Sequence, residues 1–263
     1  MIRRLEEKDR KEVLEFLSDE AAINLFIIGD IEAYGFDEEF QTLWGQYTDD
    51  GVLEGVLLRF HENFIPYFNN PSFDITEFVN IILNNQGKTM ISGKESLLRK
   101  FEEVLPKHTS GTTYFCELRH PDNLSFVDNN SSQVKIAQEC DAERVYEFID
   151  KIDEFKNRTS VDRIKHKIKT KAGRIYYIEN DDGRIVSVAQ TTAENSKSAM
   201  VVGVDTLEEY RNHGLMSTCL SRLCQDVLAE GKGLCLFYDN PKAGKIYHKF
   251  GFETIDNWMM IEM

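Results

Sequence analysis

Met200-Val201-Val202-Gly203-Val204 runs into Asp205-Thr206-Leu207-Glu208-Glu209-Tyr210, and then into Arg211-Asn212-His213-Gly214-Leu215-Met216. The opening residues are apolar and mostly β-branched, which reads as a buried strand. Beyond the glycine, Leu215, Met216, Cys219, Leu220, Leu223, Val227 and Leu228 form a single stripe at helical spacing, and Gly231 supplies a C-terminal stop. A strand that turns at a glycine directly into a helix leaves backbone N–H groups and the positive end of the helix dipole facing one point. That arrangement holds a pyrophosphate with few basic side chains. At Gly214 a Cβ would stand between the backbone and the phosphate oxygens.

Downstream, Leu234-Cys235-Leu236-Phe237-Tyr238 reads as a second apolar strand ended by Asp239-Asn240-Pro241. A short helix from Ala243 to Phe250 follows, closed by Gly251 and Phe252, and Trp258-Met259-Met260-Ile261 makes a last strand.

Upstream, the chain says one thing twice. Ile2-Arg3-Arg4-Leu5 reads as a strand, Asp9 opens a helix with Val13, Leu14, Phe16 and Leu17, and Asp49-Asp50-Gly51 joins two apolar runs as a hairpin. Past the polar stretch Asp128-Asn129-Asn130-Ser131-Ser132, Val134-Lys135-Ile136-Ala137 alternates as a strand. Asp141 then precedes a helical face of Val145, Phe148, Ile149 and Ile152, and Asp181-Asp182-Gly183 joins a second hairpin. Two copies of an α/β unit are expected, at 1–128 and 133–263, with 128–132 as linker; the alternative is one large mixed sheet. The first copy continues through Phe64-Ile65-Pro66-Tyr67-Phe68 and a helix near 75–83, without a glycine-bearing strand-to-helix turn there.

Composition sets outer bounds. Hydrophobic content of 41% with 17 Phe supplies real cores, and 29% charged residues falls short of a disordered profile. A net charge of −14 argues against nucleic acid as partner and suits a cationic one. The five cysteines (116, 140, 219, 224 and 235) show neither zinc spacing nor a disulfide framework, so no metal is expected. No apolar run spans a bilayer and the N-terminus turns acidic too soon for a signal peptide, so the expected location is the cytoplasm, with no membrane partner.

The order of strand, Arg-x-x-Gly turn, long helix, strand, Asn240-Pro241, then Tyr247-His248-Lys249-Phe250-Gly251-Phe252 resembles the GNAT N-acetyltransferase superfamily. That family's cofactor motif is Gln/Arg-x-x-Gly-x-Gly/Ala and its later helix reads Asn…Tyr-x-x-x-Gly-Phe. The close likeness covers 201–252 and the looser element order reaches back to Val134. Met216 departs from the pattern, standing where the family has Gly or Ala. The N-terminal half resembles a degenerate copy of the same fold.

The resemblance implies an α/β (α+β) chain of tandem GNAT-like acyl-CoA N-acyltransferase folds, each a mixed, mostly antiparallel sheet flanked by helices. It implies acetyl-CoA as co-substrate, bound by the second copy in a gap between 200–204 and 234–238. The Val202 and Val204 backbones would meet the pantetheine arm, and the N–H groups of Asn212, His213, Gly214, Leu215, Met216 and Ser217 the pyrophosphate. Arg211 adds charge or fixes the loop. His213 contacts phosphate or stands idle. Asn240 contacts the pantetheine amides, caps its helix, or both. Tyr247 is the catalytic candidate, as proton donor to the leaving thiolate; the alternative is packing beside Phe250 and Phe252. Glu194, Glu208 and Glu209 are candidates for a base, none singled out. The expected reaction is acetyl transfer to a primary amine of a small molecule or amino-acid-like acceptor by direct attack. The alternative is a non-catalytic acyl-CoA-binding or regulatory protein.

Overall fold

Where Asp and Gly interrupt alternating apolar runs, the chain turns back on itself at positive φ, +81° at Gly51 and +78° at Gly183. The computed structural model describes residues 1–124, 133–152 and 159–263. The chain folds as two compact units, Met1–Phe115 with Phe237–Asp239 and Thr254–Met263, and Cys116–Leu236 with Asn240–Glu253. The linker expected at 128–132 lies outside the described residues. The division is not a single cut, because the last strand pairs far back in sequence.

In the first unit, β1 (Ile2–Arg4), α1 (Arg10–Leu17), α2 (Leu25–Tyr34), β2 (Gln41–Tyr47), β3 (Leu53–Phe60), β4 (Asn63–Phe68), α3 (Thr76–Leu83), β5 (Met90–Lys94) and α4 (Glu95–Glu102) follow in order. The strand β6 (Thr109–Leu118) comes next. The unit's sheet runs β1-β2-β3-β4-β5 and then β12 (Glu253–Glu262). It is antiparallel except for β4 against β5. Phe64, Phe68, Phe78, Ile91, Leu98 and Phe101 form its core together with Met259 and Ile261 of β12.

The second unit repeats the order: β7 (Lys135–Ile136), α5 (Ala142–Ile149), α6 (Val161–Thr170), β8 (Ile175–Glu179), β9 (Ile185–Thr192), β10 (Ser198–Thr206), α7 (Leu215–Ala229), β11 (Gly233–Tyr238) and α8 (Pro241–Phe250). Its sheet runs β7-β8-β9-β10-β11, antiparallel until the parallel pair of β10 and β11. The apolar stripe of α7 packs on β8, β9 and β10, burying Cys219, Leu220, Leu223, Cys224 and Val227. Burial pushes the thiols of Cys219, Cys224 and Cys235 up, so these cysteines serve as small hydrophobes. Asp141 precedes α5 as expected, yet its carboxylate turns back to accept from the Gln138 N–H at 2.9 Å. No helix among the described residues is long and apolar enough to cross a membrane.

Candidate active site

The parallel ladder of β10 and β11 is short. It runs from Ser198↔Gly233 to Met200↔Cys235. Beyond it, among the described residues β10 keeps only its antiparallel partner β9, and that register slips between Val202 and Asp205. Val202 faces Gln190 while Asp205 faces Val188, so β10 carries one more residue than β9 across this step. Gly203 takes φ +56°, and a Cβ there would come within 2.3 Å of Gln190 Nε2. The positive φ favours glycine here, and a side chain would also displace the Gln190 amide. Val202 and Val204 are half-buried, unlike Ala199 and Met200 before them.

The loop after β10 then sets the helix start. Asn212 adopts φ +65° and Gly214 φ +77°, left-handed conformations that reverse the chain into α7. Nothing lies within 4 Å of a Cβ built on Gly214, so its requirement here is conformational, beside open space. Gly214 occupies the N-cap position and brings no side-chain acceptor. The first helical bond is Thr218 N–H to Gly214 C=O at 2.9 Å, so the N–H groups of Leu215, Met216 and Ser217 precede the ladder. All three residues line a cleft of about 330 Å³ with Val204, Asp205 and Ile246. An uncapped helix start opening on a cleft is the feature an anion would complete.

The polar side chains nearby are mostly committed. Arg211 donates from Nε to the Thr206 carbonyl at 3.1 Å and pairs with Asp205 at 3.4 Å, which fixes the loop to the end of β10. The His213 ring lies 3.2 Å from the Tyr210 carbonyl and is exposed. Asn240 is the N-cap of α8, its Oδ1 accepting from Lys242 N–H at 2.9 Å. Met216 is half-buried in the cleft lining, so the residue that departs from the family pattern narrows that wall. Tyr247 is half-buried on α8, edge-on to Phe252 at 6.1 Å between centroids. Burial, and then the Asp205 carboxylate, hold its phenol above the ordinary range.

The carboxylates considered as bases lie elsewhere. The Glu194 side chain is almost wholly covered, accepting from Arg174 Nη2 at 2.7 Å and Nε at 2.9 Å. Glu208 and Glu209 sit exposed on the turn Glu208–Tyr210, with Glu209 3.2 Å from Arg184. The carboxylate in the cleft is Asp205, which sequence reasoning missed; its one signal is its position ending the apolar run.

The matching place in the first unit is filled. After β4, Phe68 stacks on Phe73 at 4.4 Å, and Phe73 packs at a tilt against Phe78 at 5.3 Å. Asp74 meanwhile accepts from the Thr76 N–H at 3.0 Å, placing its own negative charge at the start of α3. A helix start already supplied with a carboxylate repels a phosphate.

Residues 170–261 match the sequence model of a family described as GNAT acetyltransferase. No curated protein matches the sequence. Solved structures of like fold include a Drosophila protein at TM-score 0.72 and 10% identity, over 100% of this chain and 98% of that one. A GCN5-related N-acetyltransferase from Sphaerobacter thermophilus aligns at TM-score 0.66 and 12% identity, over 100% and 95% of the two chains. A tandem GNAT protein from the clavulanic acid biosynthesis pathway aligns at 0.62 and 14%, over 100% and 98%. At these identities the structures speak for fold alone. Residues 170–261 thus carry the sequence pattern of the GNAT acetyltransferase family, and the chain as a whole shares the fold of a tandem GNAT protein.

Proposed function

We propose that the second unit binds acetyl-CoA and transfers its acetyl group to a primary amine of a small molecule or amino-acid-like acceptor. The observation that carries this is the uncapped start of α7 opening on a cleft beside a strand edge freed of its parallel partner. Acetyl-CoA supplies a thioester whose carbonyl carbon takes the amine nitrogen while the carbon–sulfur bond breaks. The N–H groups of Leu215, Met216 and Ser217 hold the pyrophosphate. The free edge of β10 at Val202 and Val204 offers strand-like hydrogen bonds to the amide-bearing arm. Tyr247 keeps a proton at its hydroxyl for the leaving sulfur, and the proton shed by the amine restores it.

A second reading, binding without turnover, is favoured by Met216 in the cleft lining. Two measurements on the full chain separate the readings. Acetyl-CoA at a hundredfold excess over its Kd adds about 2.7 kcal/mol to the native state, and so raises Tm under either reading. Thiol release with a panel of amines occurs only under the first. An unchanged Tm removes both.

A further inference from the structure

Lys167 reaches from α6 to β9, donating from Nζ to Gln190 Oε1 at 3.1 Å. Gln190 is itself buried, and its side chain lies against Gly203 in the β10 bulge. The ammonium is thus one amide away from the point where β10 loses its parallel partner. Arg174, Arg184, Arg211, Arg222 and Lys232 each have a carboxylate within ion-pair distance. Among the described residues Lys167 has none, and burial alone pushes it down to about 8.

A half-buried cation held against a neutral amide is incompletely compensated, and an arriving anion would restore the balance. We propose that Lys167 and Gln190 form the anion-binding subsite of the acceptor, which is an amine bearing a carboxylate on the same carbon, as in an amino acid. The inference rests on the acetyl-transfer reading for the position of the thioester. In this proposal the acceptor's carboxylate meets Lys167 and its amine is directed toward β10. A single lysine with one amide suits a carboxylate better than a phosphate, which is usually met by a bidentate arginine or a nest of N–H groups.

The test uses the full chain with L-amino acids and their matched carboxamides. In thiol release, the carboxylates are expected to exceed the carboxamides by at least about tenfold in kcat/KM, since a buried charge left unpaired is costly. Lys167→Met should erase that preference and leave the Tm shift by acetyl-CoA unchanged, while Lys167→Arg should keep the preference. Equal use of both series overturns the proposal, as does an equal loss for both series in Lys167→Met and Lys167→Arg. Binding is read separately, as the Tm shift given by N-acetyl amino acids and their carboxamides with CoA present. A shift specific to the carboxylates and lost in Lys167→Met supports the subsite even where no thiol is released, an outcome that counts against turnover alone. Equal shifts, or none, sink the subsite.

Discussion

Tyr247 illustrates how one side chain acquires a role from its surroundings. Its ring packs edge-on to Phe252, which is fully buried, while Asp205 faces it from the end of β10. Both burial and that negative charge disfavour the phenolate, so the hydroxyl keeps its proton beyond the ordinary value of about 10. Under the proposed reaction the donor to the leaving thiolate must be protonated at working pH, and the Tyr247 hydroxyl meets that condition. The sign follows: since the shift is upward, any decline in rate caused by losing the Tyr247 proton lies above about pH 10. An earlier decline belongs to another group. Tyr247→Phe keeps the ring and removes the proton. It is expected to lower kcat by about a hundredfold, with the Tm shift by acetyl-CoA retained. An unchanged kcat in thiol release would take Tyr247 out of the chemistry and leave it as a packing residue.

At the scale of elements, legibility follows locality. The hairpins around Gly51 and Gly183 and the β10–α7 junction are readable, because their signals are turn glycines beside short apolar runs. Helix α2 is not: Leu25, Ile27, Ile28 and Ile31 are all buried, so its apolar residues give no clean helical stripe. Helix α6 hides for the opposite reason. Ile164 is its one buried residue in a lysine-rich segment, so Lys167 carries no signal until the fold places it beside Gln190. Glu194 reads from sequence as a base candidate only because its partner Arg174 is distant along the chain. Arg174 also pairs with Glu230 just past α7, joining the edges of β8, β9 and α7. Arg174→Leu would leave the Glu194 carboxylate with Thr191 and the more distant Lys232 as its partners, an effect of about 1–3 kcal/mol, measurable as a lowered denaturant midpoint. The pH dependence has a definite sign. Arg174 holds Glu230 down at about 2, so this pairing stabilises the fold above the unfolded value of about 4.3 and fades as pH falls toward about 2. In Arg174→Leu that part of the acid sensitivity should disappear; an unaltered acid profile would show the pairing to be energetically idle.

For the whole molecule, the telling feature is where Thr254–Met263 goes. These residues follow the second unit's α8 in sequence yet belong to the first unit. Trp258 through Glu262 pair antiparallel with Lys94 back to Met90 on β5, and Met259 and Ile261 are fully buried among Phe64, Phe68 and Ile91. No periodicity within the last strand names a partner so far back in sequence, so a reading by halves assigns it to the wrong core. Removing large buried side chains costs about 2–5 kcal/mol each, and a domain holds only about 5–15 kcal/mol in total. A chain ending at Glu253 forfeits both side chains and a full strand ladder, so its first unit should lose cooperative unfolding. Amide exchange would then be fast across β4, β5 and α4, whereas native protection there would show the terminal strand to be dispensable. The same argument applies to the fragment 133–263. It would keep a strand with Met259 and Ile261 on one face and no β5 to receive it, an exposed apolar edge prone to association. Acetyl-CoA binding by that fragment is therefore expected only alongside aggregation. Replacing Met259 and Ile261 with Lys in the fragment should restore a monomer by sedimentation while leaving the α7 cleft to bind.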